Sequence, residues 1–579
     1  MTSTWKKPIS RRQMLAGSGV ALGAGVTAAL VGCGDDDDDD DEAPAATAAP
    51  ATEAPAEATE APAEATEAPA EATEAPAEAT EAPAEEATPE PTEAPETGPK
   101  QGGTLRYAVQ GDLLLTNGAP FTRAQGIPIL IFESLIRYEE SPAPTHVLVD
   151  QYEVSEDLTQ VTVRLKENAV FHDGSPVTPD DVFFGIDAIV NPEQYGFSFR
   201  GQLKAFASLV TDMSTIDERT MVFTFASALA NVNDFFAQFP VTKKDTYAQL
   251  QTGENIQGTG PYKMKSWTPG VGYELEPSTN WHDDRGGPYL DGVKVIQFAD
   301  AEAVGQAYDA DDIDIATSVS PVFGKAHEED VRLAAKWGIV YVGLNVTNPY
   351  FQDKRVRQAL FFAIDRERIV NELMEGLVEL TTQPWDPGSP AFDPDLEQPF
   401  YDPDRARALL AEAGFSQTEP ITFDHYANHP VVGAGLASLI KQNFADVGVE
   451  IELVGHQIPD MNKKLFERDF DAGWFLMTGF SPFSPVTVIT QPLPFQDNNP
   501  SKYTSETFLD IRAKLRSLDP FSEEALVQYE RFNELFHDDP WLLPCAPFRG
   551  INVVKPRVQG YNSFVEPLTY LGYVWLDDA

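Results

Sequence analysis

A seven-residue repeat restricts this chain more than any other feature of its sequence. The unit Thr-Glu-Ala-Pro-Ala-Glu-Ala starts at Thr52, Thr59, Thr66 and Thr73, with a near copy from Thr80. Seven is also the coiled-coil period, but a coiled-coil seam needs large apolar residues, and these repeats offer only alanine. Each proline would cost a helix interior about 3 kcal/mol. The surrounding stretch, 34–99, holds 22 acidic residues, including the run Asp35 to Asp41, and no Lys or Arg. Like charge and recurring proline favour an extended chain, on the order of 200 Å long at ~3.1 Å per residue. Such a segment joins no core. It divides the protein into a short start, an acidic tether and a body from about residue 100.

The start has the chemistry of an export signal. Lys6, Lys7, Arg11 and Arg12 are its only charges, and a Gly/Ala/Val/Leu run follows to Gly32. The paired arginines fit the twin-arginine type, with Met14 where such signals usually carry Phe. Leu30-Val31-Gly32-Cys33 resembles a lipobox, in which Cys33 is acylated and the chain is cut just before it. The competing reading is a transmembrane helix from Met14 to Gly32. Its five glycines and the polar acidic tract after Cys33 count against that reading. Acyl chains on Cys33 would hold the protein to a membrane, each buried CH₂ adding roughly 0.8 kcal/mol. The expected location is therefore extracytoplasmic and lipid-anchored. Cys545, the other cysteine, is expected to be a small buried residue.

From residue 100 onward there are 69 acidic and 37 basic residues, a formal charge of −32. A body this acidic repels phosphate backbones and anionic headgroups, which excludes nucleic acid as a partner. Two cysteines cannot build a disulfide framework. The length calls for several domains or lobes.

Patterning in the body mixes strands and helices. Val161 to Leu165 alternates as a half-buried strand does. Thr178-Pro179-Asp180-Asp181 opens a helix with a cap, a proline at the first position and acids in the first turn. Asp353 to Val370 reads as one helix, with Val356, Leu360, Ala363 and Ile364 inward and Arg355, Arg357, Arg366 and Arg368 outward. Asp402-Pro403 starts another that Gly414 closes. Ile421 to Phe423, a helix from Gly433 to Val447, and Val449 to Leu453 form a β-α-β order suited to a parallel sheet.

Several blocks resemble the family 5 solute-binding proteins of ABC importers, the dipeptide- and oligopeptide-binding group. They are Val170-Phe171-His172-Asp173-Gly174 with Pro176 to Val182; Gly258-Thr259-Gly260-Pro261-Tyr262; Asn280-Trp281 with Pro288 to Asp291; Asp312 to Ala316; Phe351 to Leu360 with Ala363 to Arg366; and Tyr401-Asp402-Pro403 with Ala408 to Gly414. They stand in family order across roughly 100–575. The resemblance implies an α/β type II periplasmic-binding fold, two lobes with a hinge and a ligand cleft, and an extra subdomain inserted in the first lobe. The first lobe is then expected at 100–125, 256–340 and 541–579, the insertion at 126–255 and the second lobe at 341–540. Crossings are expected near Val342 to Asn345 and Pro540 to Arg549.

The family's peptide binders pair the ligand's amine with an Asp in a second-lobe loop. The matching stretch here, Phe470 to Pro485, puts Phe480 at that place and Phe483 at the next acid. An unpaired buried ammonium costs several kcal/mol, although an aromatic face holds a cation more weakly. Met477, Thr478, Phe480 and Phe483 thus suggest an apolar or sugar-stacking floor; otherwise they are ordinary core. Gln383 and Trp385 lie in a loop that approaches the family's cleft, Asn345 lies at a crossing, and His425 and His429 fall on another ligand-facing loop. Two His four apart could ligate a metal if helical, but Pro430 follows and no third ligand is evident. No metal or cofactor is expected. His172-Asp173-Gly174 reads as turn chemistry.

The function implied is capture of a peptide or other small solute, as a monomer, for an ABC permease in the membrane. The alternative is an exported hydrolase acting on peptides or glycans. Against it, the sequence lacks a Gly-x-Ser-x-Gly elbow and a His-Glu-x-x-His helix, so no enzyme activity is expected.

Overall fold

The structure is a computed structural model that describes residues 98–110, 128–139, 144–195, 202–250, 254–334, 336, 338–429, 431–479, 484–490, 493–562 and 570–578. The export signal, Cys33, nearly all of the tether, Phe480 and Phe483 lie outside them.

Two sheets organise the body. The first has seven strands in the order Val331–Leu333, Ile551–Val554, Ile315–Ala316, Thr104–Gln110, Gly292–Phe298, Gly272–Pro277 and Tyr262–Thr268. The second has five, in the order Ile451–His456, Ile421–Tyr426, Gly473–Gly479, Gly338–Leu344 and Leu542–Phe548. Between Gln110 and Tyr262 in sequence comes a four-stranded antiparallel sheet built from Val149–Val154, Gln160–Leu165, Val210–Thr215 and Thr220–Phe225. Its Val161, Val163 and Leu165 are fully buried, as the alternation requires.

Apolar residues form separate clusters. One unites the first sheet with the inserted subdomain, a second fills the lobe around the five-stranded sheet, and a small third packs Val304, Tyr308, Ile313 and Ile551 beside the first. Cys545 belongs to the second cluster, and burial pushes its thiol up to about 12, so it is inert.

The crossings differ from the expected ones. Gly338–Leu344 is buried at every residue and paired on both sides, with Gly473–Gly479 and with Leu542–Phe548. It is thus an interior strand, not a hinge. Leu542–Phe548 contains Pro544 and Pro547, which an edge strand tolerates because its outer N–H groups need no ladder partner. Residues 541–548 therefore belong with the second sheet, and the chain crosses between Leu333 and Gly338 and between Phe548 and Ile551.

The helix expected over 353–370 is two, Lys354–Ala363 and Arg366–Leu373, because Asp365 caps the second by accepting from the Arg368 N–H at 3.0 Å. Arg366 and Arg357 point inward, not outward. The fully buried Arg366 guanidinium donates to the carbonyls of Pro544, Ile364 and Pro399, while Arg357 donates to the Pro540 carbonyl and pairs with Asp539. Carbonyls at helix and strand ends need donors, and a guanidinium supplies five. Asp402 caps Pro403–Glu412 and Gly414 closes it at φ +65°. Ile421–Tyr426 and Ile451–His456 pair in parallel around Ala434–Asp446, as the β-α-β order implies.

His172 joins two of the sequence blocks. Its Nδ1 accepts from the Gly258 N–H at 3.3 Å, and its Nε2–H lies 3.1 Å from the Gly260 carbonyl. A Cβ on Gly258 or Gly260 would strike the carbonyls of Ile131 and Leu130, so both positions must be glycine for this approach. The ring has to be neutral, and burial lowers its pKa to about 4. The unfolded ring takes up a proton below about 6.5 while the folded one does not, so acid favours unfolding. We expect folding stability to fall as pH drops from about 6.5 toward 4, by roughly 1.4 kcal/mol per unit for this group at most. Urea unfolding of wild type and His172→Gln checks it: the variant should show a shallower loss over that window.

Candidate functional site

Strand direction locates the site. Ile421–Tyr426 runs parallel to both Ile451–His456 and Gly473–Gly479, so all three end at one edge, at Tyr426, His456 and Gly479. The register Gly338↔Gly479 and Gly338↔Phe548 places both crossings of this lobe at the same edge. In the first sheet, Thr104–Gln110 runs parallel to Gly292–Phe298 and to Ile315–Ala316, ending together at Gln110, Phe298 and Ala316. Ile551 and Leu333 pair there, at the other ends of the same crossings. Both sheets thus turn the carboxyl ends of their parallel strands toward the two crossings. Ligands of open α/β sheets bind outside those ends.

On the first-sheet side, the Gln110 side-chain amide donates to the carbonyls of Thr317 and Ser318 at 3.3 and 3.2 Å. Ser318 is held at φ +52°, its N–H donating to Asn552 Oδ1 at 3.0 Å. A non-glycine residue in the left-handed region costs about 1 kcal/mol or more and concentrates where a loop must be aimed.

On the second-sheet side, Met477 and Thr478 are half-buried, the two residues before the strand's last, Gly479. His456 Nε2 lies 2.6 Å from Asp424 Oδ1, and Lys464 stands 3.4 Å from the same carboxylate. Sequence reading missed this trio because nothing in the spacing of 424, 456 and 464 links them. Only the parallel register does.

The crossings are braced by the segment from Gly376 to Glu397. Lys336, in the first crossing, donates from Nζ to Thr381 Oγ1 at 2.6 Å and stands 3.6 Å from Glu397. Burial lowers its pKa, with Glu397 and Asp386 opposing. Arg549, in the second crossing, donates to the Ala334 carbonyl and to Glu379, both at 2.8 Å. Each crossing is therefore tied by a cation to the second lobe, and Arg549 ties one crossing to the other. A lone Lys336 in an apolar context was the available signal for this brace.

The residues singled out from the sequence divide unequally. Gln383 is fully buried, donating to the Asp393 carbonyl at 2.7 Å and to Glu397 at 3.2 Å, and accepting from the Asp393 N–H. Trp385 is core: its ring packs on Phe532 and its Nε1–H donates to Asn533 Oδ1 at 2.6 Å. Asn345 donates to the carbonyls of Phe470 and Asp471 and accepts from the Thr347 N–H and hydroxyl. These three are consumed by structure. His425, buried near the end of its strand, uses Nδ1 on the Tyr426 carbonyl at 2.8 Å. His429 Nδ1 accepts from the N–H groups of Val431 and Val432 at 3.1 and 3.3 Å, and burial lowers its pKa. The two histidines do not share a helix, and among the described residues no group of three His, Cys, Asp or Glu could hold a metal ion. Met477 and Thr478 remain at the edge with side chains partly open.

Asn345→Ala removes four hydrogen bonds of a buried side chain and takes this donor from the Phe470 carbonyl, while the Asp471 carbonyl keeps Asn348 and the exposed Thr347 turns to water. The expected cost is about 2–3 kcal/mol of folding stability, read from the urea midpoint at unchanged slope.

Comparison with known proteins agrees with this geometry. A sequence profile of the bacterial extracellular solute-binding proteins, family 5 Middle, matches residues 143–498. The oligopeptide-binding protein AppA of Bacillus subtilis (strain 168) is 25% identical over 416 residues, 66% of this chain and 75% of AppA. The binding protein DppA from Helicobacter pylori, solved with the peptide STSA, superposes with a TM-score of 0.67 at 19% identity, covering 83% of this chain and 99% of DppA. NikA from Brucella suis, solved with Fe(III)-EDTA, gives 0.69 at 16% identity, covering 82% and 100%. The fold is that of the type II periplasmic binding proteins, and the relatives are binding proteins and not enzymes. The chain belongs to the bacterial extracellular solute-binding proteins of family 5.

Proposed function

We propose that this chain is a substrate-binding lipoprotein of an ABC importer. It captures a peptide or other small solute between the two carboxyl edges and delivers it to membrane permease subunits. The observation that carries this reading is the convergence of both edges on two crossings braced by Lys336 and Arg549. A clamp needs a defined axis, and two adjacent crossings provide one. The acylated Cys33 would anchor the protein outside the cytoplasm, and the acidic tether would let the body range from the membrane.

Relatives of this fold hold different cargo: DppA was solved with a peptide and NikA with a metal chelate. Phe480 at the place of an amine-holding carboxylate favours a solute recognised through apolar or stacking contact. Met477 and Thr478, with Phe480 and Phe483 after them in sequence, form that floor in this proposal. Gln383, Trp385 and Asn345 serve it indirectly, as supports.

Native mass spectrometry of the full chain, purified without denaturation, tests the proposal. An intact co-purified mass, released on unfolding, is expected. Conversion of an added peptide or glycan library into products would mean a hydrolase instead. With that solute, Phe480→Ala should weaken binding roughly tenfold or more, as loss of a central aromatic contact does, with unchanged circular dichroism.

A further inference from the structure

The inserted subdomain touches the second lobe through a small polar contact. Asn231 stands at the N-cap of the helix Val232–Gln238, yet its side chain makes no capping hydrogen bond. Its Nδ2 instead donates to the hydroxyl of Thr487, in the second-lobe helix Pro485–Thr490, and that hydroxyl donates to the carboxylate of Asp234. A helix threonine commonly bonds back to the carbonyl four residues earlier. Thr490 does so, to Val486 at 2.6 Å, whereas Thr487 reaches across to the other subdomain. Both side chains have left their local partners for this contact.

The surroundings agree. The Tyr138 hydroxyl donates to the other oxygen of Asp234 at 2.6 Å, fixing the carboxylate from within the inserted subdomain. The Ala230 N–H donates to the Arg516 carbonyl of the second lobe at 3.2 Å. Asn231, Asp234 and Thr487 are each at most 5% exposed, so water is excluded. Yet Val232 and Phe235 belong to one apolar cluster, and Val486 and Val488 to the other. The join between two separate cores is hydrogen-bonded. Hydrogen bonds exchange with water when such a contact opens, so it can part without exposing a core. Its place also matters. The helix of Thr487 is the next element in sequence after the strand that ends at Gly479 on the carboxyl edge.

We propose that Asn231, Asp234 and Thr487 form a catch by which the inserted subdomain holds the second lobe in the closed arrangement. The catch adds to whatever a bound solute contributes, so it helps set how long the cleft stays shut. It rests on the clamp reading above, and its test needs no solute.

The experiment measures the distance between spin labels at Glu218→Cys in the insertion and Glu506→Cys in the second lobe, both exposed, in a Cys33→Ser full chain without added ligand. Buried Cys545 takes no label. Thr487→Val, which keeps the shape and removes the hydroxyl, should raise the ratio of long to short distances roughly tenfold, the worth of one charge-assisted hydrogen bond. Asn231→Ala should shift it the same way and less. Thr487→Ser, which keeps the hydroxyl, should restore the wild-type ratio, and thermal unfolding by circular dichroism shows that each variant is folded. A Thr487→Val distribution matching wild type would overturn the catch, as would a Thr487→Ser shift equal to that of valine. A moving pair of lobes indifferent to Thr487 would sink the catch alone; one fixed distance in every variant, with and without native extract, would sink the clamp as well.

Discussion

The pairing of Gly338–Leu344 with Leu542–Phe548 is the constraint on which the rest of the molecule depends. These segments lie about 200 residues apart in sequence and enter and leave the second lobe side by side. Because they pair, the chain can cross between lobes only at neighbouring points. Because the pairing is antiparallel, both crossings leave from one edge of the sheet. The three parallel strands beside them end at that edge as well. Sheet register therefore brings the cleft and the hinge to one place.

The same constraint explains the buried cations there. A crossing segment lacks ladder partners, so its carbonyls need donors from elsewhere. Arg549 serves the Ala334 carbonyl, and Lys336 is held by Thr381 and the Gln383 carbonyl. Burying an ammonium is costly unless it is paired, and Glu397 stands close enough to offset part of that cost. Among the described residues, Lys336 bonds only to the second lobe, while Arg549 reaches both Glu379 there and the Ala334 carbonyl of the other crossing.

Much of the fold was legible because its signals are local. The cap at Asp402, the alternation of Val161 to Leu165, and the β-α-β order of 421–456 depend on near neighbours and appear where residue chemistry places them. Errors arose where distant segments decide. Arg366 looks like a surface arginine in a helical pattern, but Pro399 and Pro544 bring carbonyls that only tertiary structure reveals. The run Val342 to Asn345 looks like a crossing until its two pairing strands are known. For the site, aromatic and polar residues in loops made attractive candidates. Trp385, Gln383 and Asn345 show why that signal is weak: a buried loop also needs polar side chains to satisfy its own backbone. Met477 and Thr478 stand at the strand end that register selects, whereas His456 with Asp424 was invisible without it.

The distribution of apolar and polar contact separates what must hold from what must move. Apolar burial inside the lobes, in one cluster of the second and two of the first, is the main source of stability. Between lobes, among the described residues, Leu377 packs on the first lobe's small apolar cluster and Leu333 on the second lobe's core, beside a polar brace at the crossings and a polar join at Asn231, Asp234 and Thr487. An apolar join of the same size would resist opening, because separating it exposes hydrophobic surface with nothing to replace the lost contact. A hydrogen-bonded join trades its partners for water at small net cost, which in the proposed clamp would leave the balance between open and closed within reach of a single bound molecule. A large protein can in this way keep rigid halves and still let a solute weighing far less than either half decide how they sit.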